Sequence, residues 1–165
     1  MNKVIIVGGG AAGMLCSIIA ARNGCEVFLF EKNEKLGKKL YITGKGRCNV
    51  TNNCEVEELL RAVMTNSKFL YSAFYTFNSQ DMMALLEEAG VPLKTERGNR
   101  VFPESDRSSD IIRGLERLMK KYGVHVRFRS EVREILTQDG AAVGVSLADG
   151  EIKRADAVVV ATGGL

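Results

Sequence analysis

Apolar positions in the first part of the chain change their period twice. Val4–Val7 is a β-branched run typical of a buried strand, and a helical pattern follows from Ala11 to Asn23. Gly24 ends that pattern, and the apolar run Phe28–Phe30 is closed by Glu31. The pattern therefore predicts a strand, a helix and a second strand that ends in an acidic residue.

Glycines occupy the connection between the first strand and the helix in a spacing that binds dinucleotides. Gly8 permits a tight turn, Gly10 lets a pyrophosphate approach bare backbone, and Gly13 lets the helix pack closely. The start of the helix offers free N–H groups to phosphates. Glu31 is placed to bind a ribose hydroxyl, which favours a ribose without a 2′-phosphate. This motif predicts a dinucleotide site and leaves FAD and NAD open.

The middle of the chain has a different pattern. Residues 35–53 are rich in glycine and lysine and have no sustained period, so we expect a long functional loop. Helical patterns follow at 55–65, 68–77 and 79–89, the last with Asn78 as its N-cap. Leu70, Phe74 and Phe77 fall on one helix face, so the aromatic residues of the second helix are interpreted as packing, with flavin or base stacking as the alternative.

The second half of the chain predicts mostly strands. We expect a hairpin over 92–103, a helix from Ser108 or Ser109 to about Tyr122, a strand at 124–128 and a three-strand antiparallel meander at 131–155. Residues 157–161 are a continuous apolar run of the kind buried on both faces of a parallel sheet, and Thr162-Gly163-Gly164 follows.

Composition adds limits to the class of protein. With 165 residues, 45% of them hydrophobic and 26% charged, the chain is near the size of one globular domain. A net charge of +3 is too small to argue for nucleic acid. The four cysteines show neither metal-ligand nor redox spacing, so we expect no metal site and a reducing cytoplasm. His125, the only histidine, is interpreted as a partly exposed strand residue rather than a catalytic base.

Two local features have alternative interpretations. The uncharged stretch from Val4 to Ala21 is similar to a secretory signal, but its consecutive glycines favour the nucleotide fold, so we expect no export and no membrane span. A basic stretch then follows Glu31, and it is either a solvated face or a loop beside phosphates. Its cations are Lys32, Lys35, Lys38, Lys39, Lys45 and Arg47.

The order of predicted elements resembles the FAD domain of glutathione-reductase-type flavoproteins. The shared features are a β-α-β unit, a helical insertion, a third strand, a meander and a strand that ends in Ala161-Thr162-Gly163. In that superfamily the Ala-Thr-Gly turn lies near the pyrophosphate and ribityl chain, and residues after the third strand touch adenine. The resemblance implies this last role for the chain around Glu131 and Val132.

The segment Gly44-Lys45-Gly46-Arg47-Cys48-Asn49-Val50-Thr51-Asn52 looks like the signature of BaiN/YhiN-type flavoproteins, which are described as NAD(P)/FAD-dependent oxidoreductases. Physically, glycines give the loop positive φ angles, Arg47 can meet a pyrophosphate with its planar fork, and Asn49 can bind flavin or backbone. A self-capping structural loop is the alternative. Cys48 could be a thiol beside the flavin, although a packing role fits better because no partner group is in place.

The resemblance implies an α/β Rossmann-like three-layer FAD-binding domain over 1–165, with a parallel central sheet, a loop and helical insertion at 44–103 and the meander at 131–155. It implies FAD as cofactor, NAD(P)H as a possible electron donor, and hydride transfer from the reduced flavin to an organic acceptor such as a conjugated carbonyl compound. The candidate cofactor-binding residues are Gly8, Gly10, Ala11, Ala12, Gly13, Glu31, Lys32, Gly46, Arg47, Cys48, Asn49, Val132, Ala161, Thr162 and Gly163.

In the family the chain continues past the Ala-Thr-Gly-Gly turn into a substrate domain and a return segment. We therefore expect this chain to be the N-terminal part of a flavoprotein, with an exposed sheet edge that could support self-association. A non-catalytic nucleotide-binding fragment and a tRNA-modifying flavoprotein are the alternatives. We expect a small-molecule acceptor and neither a nucleic acid nor a membrane as partner. The catalytic residues stay open.

Overall fold

The computed structural model describes residues 2–164. The chain forms two compact units. The terminal unit contains Met1–Leu40 and Leu115–Leu165, and the central unit contains Tyr41–Gly114.

The elements follow one another in the expected order. They are β1 (Lys3–Val7), α1 (Ala11–Arg22), β2 (Glu26–Phe30), α2 (Lys38–Ile42), β3 (Thr51–Asn52), α3 (Val56–Ala62), α4 (Tyr71–Thr76), α5 (Ser79–Glu88), β4 (Leu93–Glu96), β5 (Arg100–Pro103), α6 (Ser108–Lys121), β6 (His125–Arg127), β7 (Val132–Gln138), β8 (Ala141–Leu147), β9 (Ile152–Arg154) and β10 (Ala157–Val160). Short 3-10 helices lie at Thr43–Gly46 and Ser67–Leu70.

A four-stranded sheet organises the terminal unit. Its strand order is β10-β1-β2-β6, and all three neighbouring pairs are parallel. This confirms the Rossmann-type fold with a parallel central sheet. The meander of β7, β8 and β9 is also present as an antiparallel sheet.

The two faces of the parallel sheet are covered by different elements. Ile5 and Phe30 are buried in one cluster with Val145 and Leu147, which come from the meander strand β8. Helix α1 packs against β1 and β2. Since neighbouring side chains of a strand point to opposite faces, Ile6 is buried on the face away from Ile5. The sheet thus lies between a helix and the meander.

An antiparallel sheet with the order β3-β5-β4 forms the centre of the other unit. The predicted hairpin supplies β4 and β5, whose register pairs Glu96 with Arg100. Helix α5 begins with the expected cap at Asn78, whose side chain accepts from Gln80 N and Asp81 N. The side chain of Asp81 accepts from Asn78 N in return, which completes a capping box.

Several expectations for the middle of the chain were wrong in detail. Residues 35–53 are not one irregular loop, because they contain α2, a 3-10 helix and β3. The helix expected at 55–65 ends at Ala62, and the one expected at 68–77 is divided into a 3-10 helix and α4. Leu70, Phe74 and Phe77 are half-buried as the packing interpretation requires, whereas Phe69 is 80% exposed.

Strand β10 differs from its expected environment. It pairs in parallel with β1, as the sequence predicts. Within residues 2–164, however, no strand pairs with its other edge. The run is also only partly buried, and Val160 is 59% exposed, so the expected burial on both faces was wrong.

Candidate functional site

Two of the three glycines of the dinucleotide motif, Gly8 and Gly13, are required by the fold itself. Gly8 has a φ of +107°, which side-chain-bearing residues rarely adopt, and a Cβ there would lie 2.6 Å from Ala161 O. A Cβ at Gly13 would collide with Gly8 O. These two glycines therefore let helix α1 and the end of β10 approach the same turn.

Gly10 is different, because neither its backbone nor its neighbours require a glycine. Its φ of −79° and ψ of −173° suit any residue, and a Cβ there would meet no atom within 4 Å. A side chain would instead fill the open space in front of helix α1. That space fits the pyrophosphate of a dinucleotide, which must contact bare backbone at this position.

The first turn of α1 has the electrostatics of an anion site. No side chain caps the helix at Gly10, and the first turn carries no acidic residue. Ala11 and Ala12 are exposed. The N–H groups of this turn and the positive end of the helix dipole are thus available to a phosphate.

Glu31 is buried, 7% exposed, and holds the glycine turn in place. Its Oε2 accepts from Gly9 N at 2.7 Å, while its Oε1 accepts from Asn33 N at 2.8 Å and Asn33 Nδ2 at 2.6 Å. A carboxylate oxygen can accept more than one hydrogen bond, so Oε2 keeps capacity for a ribose hydroxyl. The sequence did not indicate Asn33, because a hydrogen bond between residues two positions apart leaves no recognisable spacing in the sequence.

A cavity of about 530 Å³ opens in the terminal unit beyond the carboxyl ends of β2 and β6. Lys32, one of the predicted cofactor-binding residues, lines it, whereas Val132 does not. The lining chain around the meander entrance is instead Ser130 and Glu131. Its full lining is Lys32, Asn33, Arg129, Ser130, Glu131, Leu147, Ala148 and Asp149. This is the place in an open parallel sheet where ligands bind.

Ala161, Thr162 and Gly163 continue directly from β10 beside the glycine turn. Ala161 N donates to Val7 O at 2.8 Å, and a Cβ at Gly8 would lie 3.2 Å from the Cα of Thr162. Thr162 and Gly163 are exposed, and Gly163 has a φ of +80°. The structure therefore brings this turn against Gly8.

Arg47 lies in the central unit and is engaged by carboxylates there. Its Nη2 donates to Glu96 Oε1 and to Asp106 Oδ1, both at 2.5 Å, and its guanidinium lies 4.2 Å from the centre of the Phe102 ring. Lys94 Nζ donates to Asp106 Oδ2 at 2.7 Å. These four charged residues, Arg47, Lys94, Glu96 and Asp106, are called the central charge cluster below.

The central charge cluster shifts the pKa of its members. The hydrogen bond from Arg47 holds the pKa of Glu96 below its usual value, and bonds from Lys94 and then Arg47 do the same for Asp106. The two carboxylates raise the already high pKa of Arg47 further. Arg47, Glu96 and Asp106 therefore stay charged at neutral pH.

The residues on either side of Arg47 are also used within the central unit. Gly46 has a φ of +86°, which explains a glycine there. Cys48 is 2% exposed, and burial raises the pKa of its thiol, as its packing interpretation implies. With the Asn49 amide assigned so that its nitrogen faces the two neighbouring carbonyls, that nitrogen donates to Thr51 O at 3.0 Å and Val101 O at 3.2 Å.

Among residues 2–164, no group of three or more histidine, cysteine, aspartate or glutamate side chains is placed to hold a metal ion. No helix in that part of the chain is long and apolar enough to cross a membrane. His125 is exposed and stacks on Phe28, with 4.8 Å between ring centres.

The chain is similar to curated enzymes that act on quite different molecules. It is 31% identical to 3-dehydro-bile acid delta(4,6)-reductase from Clostridium scindens over 99% of this chain and 39% of that protein. It is 33% identical to ribosomal RNA dihydrouridine synthase from Escherichia coli over 98% of this chain and 39% of that protein. The chain thus spans about two fifths of the length of these relatives.

A solved structure shares the fold. The open conformation of a flavocytochrome c3 fumarate reductase superposes with a TM-score of 0.74 at 27% identity, covering 99% of this chain and 34% of that one. The HI0933-like protein Rossmann domain matches residues 2–165. The chain therefore belongs to the HI0933-like protein family and carries its Rossmann domain, which confirms the family expected from the Gly46–Asn49 signature.

Proposed function

We propose that this chain is the FAD-binding part of an oxidoreductase. The observation that carries the proposal is the open space at Gly10, a glycine that neither backbone strain nor packing requires, in front of an uncapped helix. The meander and the Ala161-Thr162-Gly163 turn favour FAD over NAD, as in the superfamily that the chain resembles. A relative named as a flavocytochrome supports the same choice.

The pyrophosphate, the adenosine ribose and the adenine of the dinucleotide each have a proposed partner in the terminal unit. Gly10, Ala11 and Ala12 bind the pyrophosphate through N–H groups, and Glu31 binds the adenosine ribose. Lys32 and the cavity of about 530 Å³ take the adenine side. Bound FAD would supply hydride transfer, while the protein supplies position and electrostatics.

The proposed roles of Gly46–Asn49 rest on the resemblance. In the described geometry, the side chains of Arg47, Cys48 and Asn49 are occupied within the central unit. We therefore propose that these side chains hold the loop in shape, and the cofactor-binding role of Gly46–Asn49 stays a prediction from the resemblance. We also propose that Val132 contacts the cofactor through its backbone.

We propose an acceptor with a carbon–carbon double bond conjugated to a carbonyl group, with NAD(P)H as electron donor. Two relatives support this class, since one is named a reductase of a 3-dehydro-bile acid and the other makes dihydrouridine. The reaction of the first enzyme removes a double bond from an unsaturated ketone, and the reaction of the second removes the double bond beside a uracil carbonyl. The same addition of hydride and a proton describes both.

An RNA acceptor is the second candidate. The E. coli relative named for ribosomal RNA is as similar as the bile-acid reductase, so similarity does not separate the two. The net charge of +3 favours the small molecule, because RNA-binding domains carry a stronger basic patch. A uridine-containing RNA and a steroid-type unsaturated ketone are the two test acceptors.

Anaerobic absorption spectroscopy tests the proposed function. The purified protein, incubated with FAD and freed of excess by gel filtration, is expected to keep the visible flavin absorption and to lose it on addition of NADH or NADPH. Addition of the correct acceptor should restore the absorption. A protein that retains no FAD would contradict the cofactor, and one that retains FAD but reacts with neither acceptor would contradict the acceptor class.

A further inference from the structure

A lysine that the dinucleotide motif does not include reaches the glycine turn from the other side. Lys39 lies in the first turn of α2, and its Nζ donates to Gly164 O at 2.7 Å. The same Nζ is 3.6 Å from the position that a Cβ on Gly163 would take. The ammonium group therefore lies against the turn that follows β10.

The chain before Lys39 is fixed on the glycine turn. Gly37 N donates to Gly9 O at 2.9 Å. Leu36 is buried, and its Cδ2 occupies the space that a Cβ on Gly9 would need. These contacts place the start of α2 beside the Gly8–Gly10 turn, so Lys39 is held by the backbone on one side and by Gly164 on the other.

The position of Lys39 suits a phosphate group. A Cβ on Gly8 would meet Ala161 and Thr162, so the turn reached by Lys39 directly follows residues that pack on the glycine turn. An ammonium group has three donors, and the bond to Gly164 O uses one of them. Among the described residues, no carboxylate forms an ion pair with Lys39, so its charge remains available to an anion.

The neighbouring Lys38 provides a direct contrast. Its Nζ lies 3.2 Å from Glu34 Oε2 and 3.1 Å from Asn33 Oδ1. Its charge is thus balanced locally, although both lysines are exposed and lie on the same helix. Two adjacent cations therefore have different partners, one a carboxylate and the other a neutral carbonyl at the glycine turn.

We propose that Lys39 is a phosphate ligand whose ammonium group binds the pyrophosphate of the dinucleotide while it holds the Gly163–Gly164 turn. This assignment rests on the proposed function and adds to it a residue outside the glycine motif. The basic stretch after Glu31 had two interpretations. The assignment favours a loop beside phosphates for Lys39 and a solvated face for Lys38.

The test compares FAD dissociation constants, measured by quenching of flavin fluorescence, for the wild type, Lys39→Met, Lys39→Arg and the matched control Lys38→Met. Loss of a charge-assisted hydrogen bond to phosphate should weaken FAD binding about tenfold in Lys39→Met. Lys38→Met should stay within about twofold of the wild type. Lys39→Arg should recover much of the affinity, because a guanidinium also binds phosphate.

Salt and stability separate a phosphate contact from a structural one. The difference between wild type and Lys39→Met should shrink at high salt, since screening weakens the charge that Met lacks. Thermal unfolding without FAD should change little in all variants, because the bond from Lys39 to Gly164 O is exposed. Equal FAD affinities for wild type and Lys39→Met, or equal losses in Lys38→Met and Lys39→Met, would overturn the assignment. A wild type that binds no FAD would instead overturn the proposed function on which it rests.

Discussion

Gly10 and Gly13 belong to the same dinucleotide motif, but a different physical reason explains the glycine at each position. At Gly13 a Cβ would collide with the carbonyl oxygen of Gly8, so the protein itself excludes a side chain. At Gly10 the same addition would meet nothing within 4 Å and would not strain the backbone. The two positions therefore separate the requirements of folding from those of binding.

This difference gives a prediction for two alanine variants. Gly10→Ala should unfold at the wild-type temperature or slightly above it, since alanine reduces the entropy of the unfolded chain. Its Cβ would occupy the phosphate space, so FAD affinity should fall at least about tenfold. Gly13→Ala should lose about 1–3 kcal/mol of stability through overpacking. Differential scanning fluorimetry and flavin fluorescence measure the two quantities.

The opposite pattern would count against the site. If Gly10→Ala bound FAD as tightly as the wild type, the open space would have no role in binding. If Gly13→Ala were as stable as the wild type, the collision with Gly8 O would be relieved at little cost and the structural reason for that glycine would be wrong.

At this scale the sequence indicated the residues whose spacing follows from the chemistry of the ligand. Gly8, Gly10, Gly13 and Glu31 keep fixed distances along the chain because a turn, a helix and a strand must fit one dinucleotide. Asn33 could not be predicted, because its bonds to Glu31 are local and have no periodic signature. Lys39 could be named only as one cation of a basic stretch.

The central charge cluster joins three separate stretches of one unit. Arg47 comes from the loop before β3, Glu96 ends β4, and Asp106 lies between β5 and α6. Both carboxylates have a lowered pKa in the folded chain. Their contribution to stability is therefore present above the usual carboxyl pKa of about 4 and is lost as the pH falls through the lower folded pKa.

We predict that Arg47→Met unfolds at a lower temperature than the wild type at neutral pH, and that this gap closes as the pH is lowered below about 4. The gap should be modest and should shrink in salt, because the cluster is partly exposed. Thermal unfolding followed by circular dichroism across this pH range measures it.

Arg100→Met is the matched control, since Arg100 lies 5.9 Å from the same Phe102 ring and bonds a backbone carbonyl. It should show no gap that depends on pH. A gap for Arg47→Met that persisted unchanged at low pH would show that packing on Phe102, rather than the carboxylates, explains the effect.

Strands were predicted better than the short helices of the central unit. The meander and the hairpin have clear alternation and turn residues, so their order and type follow from the sequence. Helix α2 has only five residues, which is too short to establish a period. The helix expected at 68–77 begins as a 3-10 turn after Asn66, whose φ of +53° breaks the preceding segment. Strand β10 has a buried-strand composition, but composition does not say which neighbour pairs with it.

At the scale of the whole molecule, the sequence of one unit is inserted into the sequence of the other. The terminal unit is built from both ends of the sequence, and the central unit is inserted between β2 and β6. The sequence predicted this interruption from the change of pattern after Glu31. It could not predict the acceptor, because the glycine turn, Glu31 and the cavity are proposed to bind the cofactor, and relatives of similar identity are named for a bile acid and for RNA.

The central claim is that the Gly8–Gly13 turn, Glu31 and the neighbouring cavity bind the ADP half of FAD. It is tested most directly by titrating the chain with FAD, followed by flavin fluorescence, and then adding ADP or FMN as competitors. The account predicts saturable FAD binding at one site, release of FAD by ADP, and no release by FMN, which lacks the adenosine. FAD that does not bind, or that FMN displaces while ADP does not, would contradict it.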